Sequence, residues 1–321
     1  MRALGYLTVT LGEVQYSKDE ILRHIGEAQS HCSNAVFNQS DFLHDLCHAV
    51  PLLVHEGDQY RWSHKSLQEY FAAQFICIDT KGSQAAILEK MYASRSLHRF
   101  YNVLDLCYDI DYKTFRSVLL YQVAGEFLSY ARRGYRWARE RGIPIEEIRR
   151  RQALTFGRTI MIYPMRQDYR AVGLLDARAI EVLKKRERVR KVDELVLLSE
   201  GPDGERGAFI LVMPEKPAAL ICELIADKGD RLITPRPVVS NVSAGPRGRD
   251  DELLAKRHRK PTLIHENPSS PINTRRRFVK ATDYVSRFPI ACLDFDQCVE
   301  LRQAVEASNS NGDADFLLGR L

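Results

Sequence analysis

Up to Gly142 apolar residues recur at intervals of three and four, and this helical period is broken once, by a short alternation on either side of Gly57. A helical run interrupted by one hairpin signal leaves few architectures, because two strands alone cannot bury a face and must lie against their helical neighbours. Ser17 with Glu20 three residues on forms a capping-box pattern, and Ile21, Leu22, Ile25 and Ala28 follow at helical spacing. A second helix spans residues 41–50, with Phe42, Leu43, Leu46, Cys47 and Val50 on one face and Pro51 as its stop. Residues 52–54 and 60–62 read as strands around the turn His55-Glu56-Gly57-Asp58. The next helix begins at residues 63–66, runs to about Ile78, and is expected to bury Leu67, Tyr70, Phe71, Ala73 and Phe75.

Helix, helix, hairpin is the order of a winged-helix unit, with residues 1–11 as the remainder of an earlier helix that begins without a polar lead-in. Residues 83–142 stay helical: Ala86, Ile87 and Met91, then Phe100, Val103, Leu104 and Cys107, then Phe115, Val118, Leu119, Val123, Phe127 and Leu128. Beyond residue 153 the pattern changes. Strands are expected at 159–163, 194–198 and 209–213, the last two as a hairpin, with helices at 174–190 and 217–226. Most of residues 234–282, rich in Pro, Ser, Arg and Asn, reads as linker or exposed loop, followed by a strand within 288–295, a helix at 297–307 and a frayed tail. The expected fold is therefore mainly α: a winged-helix unit over 1–80, a helical segment over 81–152, a small α/β unit over 153–233 and a linker-rich region over 234–321.

Composition narrows the class. An apolar fraction of 45% with 28% charged residues is that of a globular chain, and no apolar run approaches the ~20 residues of a spanning helix, so no membrane span is expected. Seven scattered cysteines, an odd number set among apolar residues, argue for reduced core thiols in a cytoplasmic protein. Residues 130–192 hold 18 Lys and Arg against 7 Asp and Glu, a balance of +11. Arg132, Arg133, Arg136, Arg149, Arg150 and Arg151 form a possible basic contact surface there, although interleaved Glu140, Glu146 and Glu147 also fit a solvated helix. His44, Cys47 and His48 share a helical face, with His31 and Cys32 near in sequence, but paired Cys-x-x-Cys spacing is missing and no metal site is expected.

One stretch stands out: Tyr60-Arg61-Trp62-Ser63-His64-Lys65-Ser66-Leu67-Gln68-Glu69-Tyr70-Phe71-Ala72-Ala73-Gln74-Phe75. It joins a strand to a helix, and Ser66 with Glu69 matches the capping pattern. The string resembles the signature near the end of the winged helix in NACHT proteins, the STAND-class NTPases that include animal innate-immune receptors and bacterial anti-phage proteins. The helix around Asp41-Phe42-Leu43-His44-Asp45-Leu46 and the strand Val50-Pro51-Leu52-Leu53-Val54 are similar too, so the resemblance covers about residues 1–78. Trp62, Ser66, Gln68, Glu69, Tyr70 and Phe71 are its signature positions. The resemblance implies that His64 contacts the phosphates of bound ADP and helps to hold a closed resting state.

The chain departs from that family in its chemistry. It has no G-x-x-x-x-G-K-[ST] loop and no Gly-Lys pair, and the acids Asp105, Asp109 and Asp111 read as exposed residues at a helix terminus. No catalytic residues are expected, and ATP or ADP enters only through a partner nucleotide-binding NTPase domain, in cis or in trans. The expected function is that of a non-catalytic regulatory or sensing fragment, in innate immune or anti-phage defence, recognising an unknown trigger. The alternative is an independent winged-helix nucleic-acid binder using the basic stripe, against which the helices at 41–50 and 66–78 carry almost no Lys or Arg.

Overall fold

Side-chain caps fix where the second and third helices begin. The computed structural model describes residues 1–32, 36–140, 145, 149, 152–153, 156–164, 195–200, 207–214, 216–234, 262–264 and 291–318, and is mainly helical. Helix α1 (Arg2–Leu11) is followed by α2 (Lys18–Ser30). The Ser17 hydroxyl accepts from the Glu20 amide at 3.3 Å while the Glu20 carboxylate accepts from the Ser17 amide at 2.8 Å, the capping box expected from the sequence. The bond from the Ser17 amide, with one from its hydroxyl, holds the Glu20 carboxyl below its ordinary value. Asn38 caps α3 (Gln39–His48), accepting from the amides of Ser40 and Asp41 at 2.8 and 3.2 Å. That cap sets the helix two residues earlier than the apolar spacing implied, and Val50 falls beyond its end, 57% exposed rather than inward.

Strands β1 (Leu53–Glu56) and β2 (Gln59–Trp62) pair antiparallel across a two-residue turn. The turn is tighter than the four residues expected, because Gly57 takes φ +65° and the strands extend to meet it. Leu53 pairs with Trp62, and both are buried. The Tyr16 backbone exchanges bonds of 2.8 and 2.7 Å with Tyr60, tying the α1–α2 connection to the hairpin.

Helix α4 (Lys65–Gln74) passes into a π-turn, Phe75–Asp79, and then come α5 (Gln84–Ala93) and α6 (Tyr101–Ile110). Helix α4 packs on α1 and α6. Met91, Phe100, Val103, Leu104 and Cys107 are buried as their spacing implied, whereas α5 also turns Leu88 and Tyr92 inward and leaves Ala86 exposed. Asp111 is not the exposed terminal acid expected. It caps α7 (Tyr112–Phe115) through the Thr114 amide, and it pairs with Lys81. A second π-turn, Arg116–Leu120, leads into α8 (Tyr121–Glu140).

Two compact units result, Met1–Gln122 and Val123–Leu321. In the second, β3 (Arg158–Pro164), β4 (Leu195–Glu200), β5 (Gly207–Pro214), β6 (Ile233–Thr234), β7 (Thr262–Ile264) and β8 (Cys292–Leu293) accompany α9 (Pro217–Asp227) and α10 (Phe295–Leu318). An antiparallel sheet runs in the order β4-β5-β3-β7, and the β4–β5 hairpin is the one expected. Strand β7 lies within residues 234–282, most of which read as linker or loop, and is not expected there from the sequence: Thr262–Ile264 pairs with β3, three residues being too few to show an alternation. Pro217 opens α9, where its missing amide costs nothing. Asp294 caps α10, accepting from the Asp296 and Gln297 amides at 3.0 and 3.1 Å, so this helix starts before residue 297 and its backbone continues through the expected tail to Leu318. The helix expected at 174–190 lies outside the described residues.

Candidate functional site

Within the stretch that stood out in the sequence, strand β2 hands directly to α4, and the side chains divide between two faces. Trp62 is buried and its Nε1 donates to the Thr8 hydroxyl of α1 at 3.2 Å; that hydroxyl in turn donates to the Leu4 carbonyl at 2.7 Å. Gln68, also buried, donates to the Tyr16 hydroxyl at 3.5 Å, and Tyr16 donates to the Glu13 carbonyl at 2.6 Å. Burial pushes the Tyr16 hydroxyl up to about 12. Glu69 is 3% exposed, and its two oxygens accept from Asn102 Nδ2 at 3.1 and 3.0 Å while Lys65 Nζ lies 3.2 Å away. A carboxylate this deep persists only with such partners. Phe71 sits 6.0 Å from the Trp62 ring, and Ala72 and Ala73 are fully buried.

The opposite face is open. His64, Ser66 and Tyr70 are exposed, as is most of Lys65. The expected Ser66–Glu69 cap does not form. His64 occupies the N-cap position without a side-chain cap bond, Ser66 lies inside the first turn, and Glu69 is drawn inward to Asn102 and Lys65. Tyr70, expected in the core, is 44% exposed because it stands one turn above Ser66 on the same face. His64 therefore stands at the end of α4 where free amides and the helix dipole favour an anion, with its ring uncommitted to the cap.

Of the basic residues, Arg132 is exposed. Arg149 lies 4.2 Å over the Phe295 ring and 4.0 Å from Asp296, so part of its charge is already engaged. The side chains of Arg133 and Arg136, and all of Arg150 and Arg151, lie outside the described residues. Helix α3 exposes Asp41 and Asp45 beside His44 and His48, acids that would repel a phosphate backbone. The His44 and His48 rings lie 4.4 Å apart, but among the described residues no group of three or more His, Cys, Asp or Glu is placed to hold a metal ion. No helix among them is long and apolar enough to cross a membrane.

Three participants carried no sequence signal. Thr8 reads as one residue of an apolar helix, and Asn102 belongs to no motif. A glycine inside a helix, Gly5, marks the α1–α4 contact: a side chain there would lie 2.7 Å from Phe71 Cβ and 2.9 Å from the Gln68 carbonyl.

Residues 110–306 match the family model of the short NACHT-associated C-terminal domain, family 5. No curated protein and no solved structure matches the chain.

Proposed function

This chain belongs to the short NACHT-associated C-terminal domain family 5, and from that premise we propose that it regulates a NACHT NTPase domain without hydrolysing nucleotide itself. Residues 1–80 serve as the winged-helix element that docks on the nucleotide-binding domain, and His64 reaches the phosphates of the ADP held there. The observation that carries this reading is the division of the signature. Trp62, Gln68, Glu69 and Phe71 are spent on the unit's own interior, while His64, Ser66 and Tyr70 face outward. An imidazole beside the first turn of α4 adds a hydrogen-bond donor to amides that already favour phosphate. The missing phosphate loop supports a site completed by another domain, in cis or in trans, rather than by these residues alone. The family region from residue 110 onward would then recognise the trigger, and defence against infection or phage is the setting that the signature suggests.

Two measurements test this. Calorimetry of the chain with ADP or ATP and magnesium should show no binding. Added to a purified NACHT domain loaded with fluorescent ADP, the chain should slow ADP release, and His64→Ala should abolish the slowing while leaving the unfolding midpoint unchanged. Tight ADP binding by the chain alone, or full activity of the His64→Ala protein, refutes the assignment.

A further inference from the structure

Helix α3 carries its polar residues in one stripe. Asp41, His44, Asp45 and His48 stand three and four positions apart and are all exposed, while Leu43 and Leu46 face the core. The fold separates Cys47 from the two histidines, because its side chain is half-buried against the core cluster. Only the imidazoles remain on the open face, and their rings lie 4.4 Å apart at 47°. Residues four apart on a helix hold their Cβ atoms about 5–6 Å apart, so these two side chains lean towards each other. Asp45 Oδ1 is 4.0 Å from His44 Nδ1, beyond hydrogen-bonding distance, and the His44 side chain is 70% exposed. That contact leaves the ring able to turn about its Cβ–Cγ bond. A metal–nitrogen bond of ~2.1 Å sets each ring centre ~3.2 Å from an ion, so two imidazoles bound at a right angle hold their centres about 4.5 Å apart. The rings of His44 and His48 already have that spacing. The surrounding charge has the right sign as well: Asp41 and Asp45 flank the pair, and α3 contains no Lys or Arg.

We propose that His44 and His48 chelate a divalent transition-metal ion of borderline softness, of the Ni²⁺ or Zn²⁺ kind, with water in its remaining positions. Imidazole suits these ions, whereas Mg²⁺ takes oxygen ligands. Each ring gives one nitrogen lone pair, and the two aspartates act through their charge without joining the ion. The site is open rather than closed, since among the described residues no third His, Cys, Asp or Glu is placed to complete it. Both rings are needed at once, and the helix brings them together, so the ion binds folded α3 in preference to the unfolded chain. His48 is the last residue of α3, which packs against α2 and β1. The ion would therefore pin the last turn of this helix where the chain leads into the hairpin. The site is separate from His64 and does not depend on its role.

The untagged chain, stripped of metal with a chelator, is unfolded with urea in rising Ni²⁺ at about pH 8, above the ordinary imidazole value. The unfolding midpoint should rise with Ni²⁺ and level off, while the same concentrations of Mg²⁺ leave it unchanged. His44→Gln and His48→Gln should each need about tenfold more Ni²⁺ for the same rise, because each loses the chelate. His98→Gln, at another exposed histidine, should respond as the parent does. No rise with Ni²⁺ overturns the proposal. An equal rise with Mg²⁺ also overturns it, since the ion would then sit on Asp41 and Asp45. A rise that survives either substitution in full puts the ion elsewhere, with the same consequence. If a variant fails to fold, the parent decides alone: under trace Ni²⁺ the ring-proton resonances of His44 and His48 should broaden before those of the other histidines, and broadening that begins elsewhere overturns the assignment.

Discussion

Replacing Gly5 by alanine should weaken the first unit, although the same change in a helix usually strengthens it. Alanine gains about 0.5–1 kcal/mol over glycine in a helix interior through backbone entropy and propensity. At Gly5 the new methyl would lie 2.7 Å from Phe71 Cβ, 2.9 Å from the Gln68 carbonyl oxygen and 3.0 Å from the Ala72 amide nitrogen. Two of those atoms are backbone, so relief requires α1 to move off α4 and take the Trp62–Thr8 bond with it. Overpacking of this kind costs about 1–3 kcal/mol, and contact with backbone on two sides puts Gly5 in the upper part of that range, leaving a net loss of about 1–2 kcal/mol. Gly26 in α2 is the control, since there the three atoms nearest a Cβ all belong to the Gln39 side-chain amide, which can swing aside. Gly26→Ala should gain about 0.5–1 kcal/mol. Urea unfolding followed by Trp62 fluorescence in a Trp137→Phe background reads this unit; with ordinary denaturant slopes the two midpoints should part by roughly 1 M, in opposite directions from the parent. A midpoint for Gly5→Ala at or above the parent refutes the close approach of α1 and α4.

Three further tests probe the interior. His24 is 4% exposed, edge-on to Tyr16 at 5.7 Å, and neither ring nitrogen has a hydrogen-bond partner, so His24→Phe should raise the unfolding free energy by about 1 kcal/mol; a loss of that size would mean that the nitrogens are satisfied. Glu69→Ala should cost about 2 kcal/mol, and a double-mutant cycle with Asn102→Ala should give a coupling near 1 kcal/mol; strict additivity would show that the two side chains do not interact. Burial alone would raise the Asp111 carboxyl, but bonds from Lys81 and Thr114 outweigh it and hold the group at about 2. Its folded value therefore lies below the unfolded one. The stability it contributes is whole above about pH 4 and is lost as pH falls towards 2, so Asp111→Asn should flatten the stability profile in that window, and an unchanged acid limb would exclude the pairing.

The capping boxes show where the sequence could be read and where it could not. Ser17 and Glu20 satisfy each other, so four residues of sequence contain the whole interaction. Ser66 and Glu69 carry the same letters at the same spacing and do nothing of the kind. The partner that redirects Glu69 is Asn102, 33 residues further on, and no local window contains both. Gly5 fails for the same reason, since its meaning depends on α4 lying across it. The hairpin, the helix at Pro217 and the β4–β5 pairing were legible because turn residues and periodicity are local. Strand β7 was not, because its only mark is its partner β3.

That contrast bears on how the signature helix works. A helix presents residues three and four apart on one face, so a single run can hold two sets of side chains with separate constraints. Trp62, Gln68, Glu69 and Phe71 answer to Thr8, Tyr16, Asn102 and Gly5, all within the first unit, and changes among them should register as unfolding. His64, Ser66 and Tyr70 answer to none of those groups. Their exchange for alanine should leave the unfolding free energy within about 0.5 kcal/mol, as surface substitutions usually do. If these positions matter at all, they matter to something outside the unit, so loss of partner control with full retention of fold is the pattern that separates a docking face from a merely exposed one.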